Sequence, residues 1–328
     1  MTKLLKYFKS TISAFVIITM FTSCQNANYK EITINRFDID AQNYVKLDDA
    51  GKEVFCKKYS DLISLYIDKI YPDTNITISS KMENFANSNA TKYFSKDVET
   101  AFSNISNLQL TLSIIAENMK EKANINFPKI FTAIIPYNQT ILLNDSTAII
   151  GLNHYLGKDH LAYEGFPSFR RNFKINEKIP YDLTEANIKI NYPYSPKEDT
   201  LLERMLYEGL IAVIASEVIP NFNESLFFNF SDKQLSWCEK NETKLWNQLL
   251  IDESLYITSE TLIAQYINPA PFTQAFTNES PGMACRWLGM KIINSYTNKS
   301  GVSALDAIKN NIYQESQATL INSKYNGK

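Results

Sequence analysis

Apolar and polar side chains alternate over Ile32-Thr33-Ile34-Asn35-Arg36-Phe37-Asp38-Ile39, which predicts a strand with one buried face. From Asp61 to Ile70 the spacing changes to three and four, with Leu62, Leu65, Tyr66, Ile67 and Ile70 on one side of a helix that Pro72 stops. A longer helix is expected from about Lys96 to Lys122, where Val98, Phe102, Ile105, Leu108, Leu112 and Ile115 form a continuous core-facing stripe. Lys129 to Ile135 and Gln139 to Leu143 are short and rich in Ile, and Pro136-Tyr137-Asn138 between them is turn chemistry, so a paired hairpin is predicted. Thr147 to Leu152 makes a third short strand. It leads into Gly151-Leu152-Asn153-His154-Tyr155-Leu156-Gly157, where glycines allow a sharp change of direction.

Helical periodicity dominates from Lys197 onward. Glu198 to Val218 carries Leu201, Leu202, Met205, Leu206, Leu210, Ile211, Val213, Ile214 and Val218, leaving almost no polar face, so this helix should run through the centre of the domain until Pro220 closes it. A serine cap at Ser231 and an asparagine cap at Asn241 predict two short helices, Ser231 to Glu239 and Asn241 to Ile251, meeting near Lys240. Helices over Ser259 to Ile267 and Pro281 to Asn298 follow, then an amphipathic segment from about Val302 to Tyr325. No repeat, low-complexity tract or Ser/Gly linker interrupts the pattern. One α+β domain over 31–328 is expected, mainly helical with a small sheet.

The first residues follow a different rule. Lys3 and Lys6 precede a mostly apolar stretch from Thr11 to Phe21, and Phe21-Thr22-Ser23-Cys24 is a small-residue site ending in cysteine, the order of a lipoprotein signal over 1–23. A retained membrane helix is the alternative, but the stretch is roughly half the ~20 residues a span needs. Cys24 is therefore the expected lipidation site, followed by a tether over 24–30 whose residues Gln25 to Tyr29 are polar and lack an acidic run. Acyl chains such as palmitate contribute ~0.8 kcal/mol per buried methylene, so several of them anchor a protein without spanning the bilayer. The cell envelope, at the outer membrane facing the periplasm, is the expected location.

Composition narrows the function further. With 45% hydrophobic residues, 19 Tyr and 19 Phe the chain can bury a large core, and a net charge of -2 without a basic cluster argues against nucleic acid. Cys56, Cys238 and Cys285 are too far apart for a zinc ribbon or a C-x-x-C pair. One disulfide among them, or three buried thiols, both remain open. The two histidines, His154 and His160, lack the i, i+4 spacing of a helical zinc site. They are loop histidines facing solvent, or ligands brought together with Asp159. No G-x-S-x-G, P-loop or G-x-G-x-x-G stretch is present, and no cofactor is expected.

Strands followed by a buried helix is also the order of zinc metallopeptidases, whose helix carries H-E-x-x-H. Here Tyr207-Glu208-Gly209-Leu210-Ile211 stands in that place, so Glu208 remains without imidazoles to hold a metal and activate water, and catalysis is not expected. Glu208 is either a polar residue on a buried helix, partnered by Arg204 or Lys244, or part of a cleft with Tyr207, Glu242, His154 and Tyr155, the alternative in which the chain is a hydrolase or a peptide- or glycan-binding lipoprotein. Trp237 and Trp246 fit aromatic core beneath the short helices, with a ligand platform as the alternative.

Several stretches agree in order and spacing with one family: the lipobox at Cys24, Arg36-Phe37-Asp38, the Gly151 to Gly157 loop, Arg204-Met205-Leu206-Tyr207-Glu208-Gly209, Gln234-Leu235-Ser236-Trp237-Cys238 with Asn241-Glu242 and Trp246, Ser280-Pro281-Gly282 with Trp287-Leu288-Gly289, and Ser323-Lys324-Tyr325. Over nearly the whole mature chain the sequence resembles the gliding-motility lipoprotein GldB family of the Bacteroidetes. That resemblance implies an envelope lipoprotein with a zincin-like architecture lacking the zinc ligands, membrane-attached through its N-terminal lipid, with envelope proteins as partners. Asn153 and His154 depart from the more acidic or hydrophobic pair expected in that loop.

Overall fold

A computed structural model describes residues 29–328; the signal at 1–23, Cys24 and most of the tether lie outside the described residues. Four short strands form one mixed sheet in the order β1-β2-β4-β3, with β1 Ile34–Asn35, β2 Lys129–Ala133, β3 Ile141–Leu143 and β4 Thr147–Gly151. The first three in that order are parallel, and β3 runs antiparallel to β4 with Ile141 opposite Ile150. The expected hairpin between the second and third strands is therefore not made. β4, buried at all five positions, separates them, because the most apolar strand is best satisfied with a neighbour on each side and a covered face above and below.

Both faces of the sheet are covered. Phe131, Ala133, Ile135 and Ile149 point into a small aromatic core with Phe37, Tyr44, Tyr59, Tyr66 and Phe85, while Ile130, Ile134, Ala148 and Ile150 point into a much larger helical one. The 32–39 alternation yields only two paired residues before a helix, Phe37–Asn43, takes over. Charge geometry ends the strand. Arg36 grips both oxygens of Asp38 through its Nε–Nη2 edge (2.9 and 2.7 Å) and donates from Nη1 to the Phe102 carbonyl at 2.7 Å, and Asp38 also accepts from Thr132. Arg36-Phe37-Asp38 is thus a structural clamp, with Phe37 fully buried at its centre.

The Asp61 to Ile70 helix forms with a π-helical stretch at Ile63–Ile67. Lys96 to Lys122 is not one helix but two, Asn89–Ala101 and Ser106–Ala123. Between them Asn104 bonds the Ser106 amide at 2.9 Å and Ser103 the Thr100 carbonyl at 3.1 Å, offering the backbone local partners in place of the next turn. The opposite happens at Asn241. Its side chain donates back to the Trp237 carbonyl at 2.8 Å, so it does not cap, and Asp232–Ile251 is continuous behind a Ser231/Gln234 capping box. Val302 to Tyr325 breaks into Ala304–Lys309, a 3-10 turn and Ser316–Ser323.

The central helix, Leu201–Val218, is buried along nearly its whole length, as its composition demands, and is capped by Thr200 on the Glu203 amide. It packs most extensively on the Ala284–Ser300 helix. The helix laid against β3 and β4 is a different one, Ile179–Asn191. No helix among the described residues is long and apolar enough to cross a membrane.

Candidate functional site

The segment joining β4 to the Ile179–Asn191 helix builds one wall of a cavity. Asn153 imitates a strand edge, accepting from the Ile135 amide at 2.8 Å and donating to its carbonyl at 2.9 Å, which seals the end of β2 and fixes the following turn. His154 is consequently buried rather than solvent-facing. Its Nε2 lies 3.0 Å from the Ile135 carbonyl, which can only accept, so Nε2 carries the proton and Nδ1 is left as an acceptor 3.4 Å from Lys174 Nζ. Burial, then the Lys174 charge, depress His154 to about 4. The second histidine goes elsewhere, with His160 Nε2 3.1 Å from Asp97 and Nδ1 accepting from the Ala162 amide. The two imidazoles do not meet, and no cluster of three His, Cys, Asp or Glu side chains suited to a metal occurs among the described residues.

Lys174 is as buried as His154, and burial lowers its pKa. Its ammonium sits between the rings of Tyr163 and Phe166, 4.9 Å from each, with no carboxylate in ion-pair range among the described residues. Beside it Lys178 is satisfied, by the Leu226 and Phe227 carbonyls at 2.6 and 3.2 Å and by Asp182 at 3.5 Å. Asp182 also accepts from Tyr155 at 2.8 Å; burial raises its pKa against the pull of Lys178 and Tyr155. These side chains line a cavity of about 330 Å³ with Arg170, Phe169 and Phe173. Phe169, Phe173, Asn229 and Pro269 also line an adjoining groove of about 930 Å³ between the start of Asp232–Ile251 and the 269–283 loop, where Trp237 donates to Glu279 at 3.2 Å.

His154 makes stability depend on pH. The folded chain keeps it neutral down to about pH 4, whereas a histidine ordinarily protonates near 6.5. The unfolded state therefore binds the proton first, and stability falls as pH drops from 6.5 towards 4 by roughly 3 kcal/mol, with no such change above 6.5. Urea midpoints of the wild type and His154→Gln compared across that range should converge as pH falls; parallel profiles would mean that His154 titrates normally.

The cleft expected around Tyr207, Glu208 and Glu242 is not what the fold builds. Tyr207 is buried against the rings of Tyr194 and Tyr313, 4.9 and 5.4 Å away, and donates to the Tyr192 carbonyl at 2.8 Å. Glu242 accepts from Tyr325 at 2.7 Å, at the far end of the chain. Glu208 has partners, but not Arg204, which forms a two-pronged pair with Asp199, and not Lys244. Lys189 Nζ reaches both its oxygens at 2.9 and 3.0 Å, and Arg286 reaches it at 2.7 Å and Glu185 at 2.6 Å. Burial pushes the Glu185 carboxyl up, but Arg286, Lys189 and Lys178 together overcome it and hold it well below the usual carboxylate range.

Of the expected cleft residues, His154 and Tyr155 line the 330 Å³ cavity. Lys174, Lys178, Asp182 and Asn229 complete it and were not singled out from sequence, although Lys178, Asp182, Glu185 and Lys189 recur at helical spacing along one face. Trp246 is buried core against Tyr325, whereas Trp237 borders the groove. Cys56, Cys238 and Cys285 are free thiols, and burial pushes Cys238 up to about 12.

A small mixed sheet wrapped by helices, with an interior ion cluster around Glu208, defines an α+β protein with an occupied core and a separate open groove. The family model for gliding motility protein GldB matches residues 22–327, and the chain belongs to that family. Membership associates it with gliding motility and with the cell envelope. No curated protein and no solved structure gives a significant match.

Proposed function

We propose that the chain is a non-catalytic, lipid-anchored accessory factor of gliding-motility or linked secretion machinery, held through Cys24 at the outer membrane facing the periplasm and acting by binding an envelope protein. The observation that carries this reading is the condition of Glu208. A general base needs a free oxygen to take a proton, and three short contacts to Lys189 and Arg286 occupy both oxygens of Glu208. The open groove beside Trp237 is where a partner has room. Ligand binding, the alternative first attached to the Glu208 helix, moves to that groove.

In a gliding host lacking the chain, Cys24→Ala should leave the protein in the soluble fraction and fail to restore colony spreading. A photo-crosslinking residue at Lys233, on the groove, should yield a discrete adduct with an envelope protein that the same residue at exposed Val54 does not yield. The proposal fails if the purified chain turns over peptide or ester substrates and loses that activity in Glu208→Gln at an unchanged melting temperature.

A further inference from the structure

Two polar groups, Lys174 in the cavity wall and Asn229 where cavity and groove adjoin, are short of the partners that burial normally requires. Lys174 is 7% exposed, and its ammonium has an imidazole nitrogen and two ring faces around it, with the Asp182 charge felt only from beyond ion-pair range, while neighbouring Lys178 has two carbonyls and that carboxylate. A buried charge in that condition is costly unless an anion completes it. Asn229 Oδ1 is buried and accepts no hydrogen bond. Its position is set by the backbone, since Asn229 ends the Glu224–Phe228 helix in the left-handed conformation (φ 56°). It borders both the cavity and the groove.

The missing partners are an anion for Lys174 and an N–H donor for Asn229. The surroundings agree, because Lys158, Lys233 and Lys240 line the groove against one carboxylate, Glu279, which is already bonded to Trp237. A chain with net charge -2 has thus gathered cations along one groove, walled by phenylalanine and proline. Carboxylates and amide N–H groups, with apolar side chains between charges, are the recurring groups of an acidic peptide.

We infer that the groove binds an extended acidic peptide segment of the partner, with one carboxylate seated at Lys174, one backbone N–H on Asn229 Oδ1, and further acidic side chains running past Trp237 towards Lys233 and Lys240. This rests on the partner-binding reading above and specifies the chemistry the partner presents.

The test uses the full lipidated chain in detergent and an array of immobilised random twelve-residue peptides. Bound peptides should be enriched in Asp and Glu. The best binder, labelled and titrated in solution, should bind at least tenfold more weakly to Lys174→Met, with Lys174→Arg recovering part of the loss, and should weaken about tenfold when its Glu residues become Gln. The exposed pair Lys233→Glu/Lys240→Glu, which cannot disturb the core, should weaken it similarly even if Lys174→Met does not fold. Binding without acidic enrichment, or binding equal in the double variant, overturns the inference. So does a preference for oligoglucuronate or anionic vesicles over every peptide. If Lys233 still crosslinks to an envelope protein through a segment without acidic residues, the peptide chemistry is wrong while partner binding stands; if neither adduct nor peptide binding is found, both fall.

Discussion

Gly289→Ala should lower the melting temperature by about 10 °C or prevent folding, the largest effect expected of a single added methyl group in this chain. The central helix and Ala284–Ser300 cross where Gly209 meets Gly289. A Cβ on Gly289 would lie 1.9 Å from the Met205 carbonyl oxygen and 2.8 Å from its carbon, and one on Gly209 would lie 2.3 Å from the Gly289 oxygen. All of these are backbone atoms, so no rotamer change relieves the clash and the helices must separate. Separation loosens Met205, Leu206, Leu288, Ile292 and Ile293, all within 1% of complete burial. Overpacking commonly costs 1–3 kcal/mol and more when backbone must move, so about 3 kcal/mol or above is expected, against ~2–4 °C per kcal/mol for a large domain. Gly165→Ala, with open space around the new atom and an ordinary φ, is the control and should melt with the wild type. Equal melting of the two variants would show that the crossing is looser than described.

Arg286→Met should cost about 3–5 kcal/mol at neutral pH, because removing one member of a buried ion cluster strands the others. The guanidinium holds Glu185 and Glu208 together at 2.6 and 2.7 Å. In the wild type the depressed Glu185 pKa contributes stability that is complete above the ordinary carboxylate range and is lost only as pH falls well below it. Without Arg286, only Lys189 and Lys178 are left to oppose burial at that carboxyl, and protonation relieves the repulsion between Glu185 and Glu208. The gap between variant and wild type should therefore be widest near pH 7 to 8 and narrow towards pH 4, as read by urea midpoints. Glu208→Gln/Arg286→Met should recover part of the loss at pH 7 by leaving Glu185 paired with Lys189 alone. A cost below about 1 kcal/mol at neutral pH would mean that Glu208 is not engaged as described, and would return it to consideration as a base.

How much of this was legible in the chain depends on the range of the interaction concerned. The central helix was readable because its burial is a property of its own residues: Leu201 through Val218 leave no polar side to face water. The Thr147 to Leu152 strand was readable for the same reason. Asn241 and Asn104 were not, since asparagine caps one helix, breaks another and sits inside a third according to which backbone group its amide finds. The hairpin misreading has a similar origin. Pro136-Tyr137-Asn138 allows a turn, but whether the flanking strands pair is decided by β4, which arrives later in the chain and takes the place between them.

For the site, the absence of imidazoles at Tyr207 and Ile211 was plain, whereas the helix Ile179–Asn191 and its i, i+4 charges were not singled out. Periodicity reports which residues share a face and nothing about the element opposite. Arg286 lies 78 positions from Glu208, and Asn229 and Lys174 come from separate loops, so no local pattern could join them.

By itself the sequence determined the elements whose stability is local, the α+β class and the family. Each of these is written in composition, short-range spacing or motif order. Only the tertiary structure decided that Glu208 is ion-paired, that His154 is buried on Lys174 rather than joined to His160, and that an open groove beside Trp237 adjoins a cavity holding Lys174, with the unpartnered Asn229 oxygen bordering both. Those outcomes depend on which distant side chains share a volume, and electrostatic and hydrogen-bonding energies change sign with whether a partner arrives there.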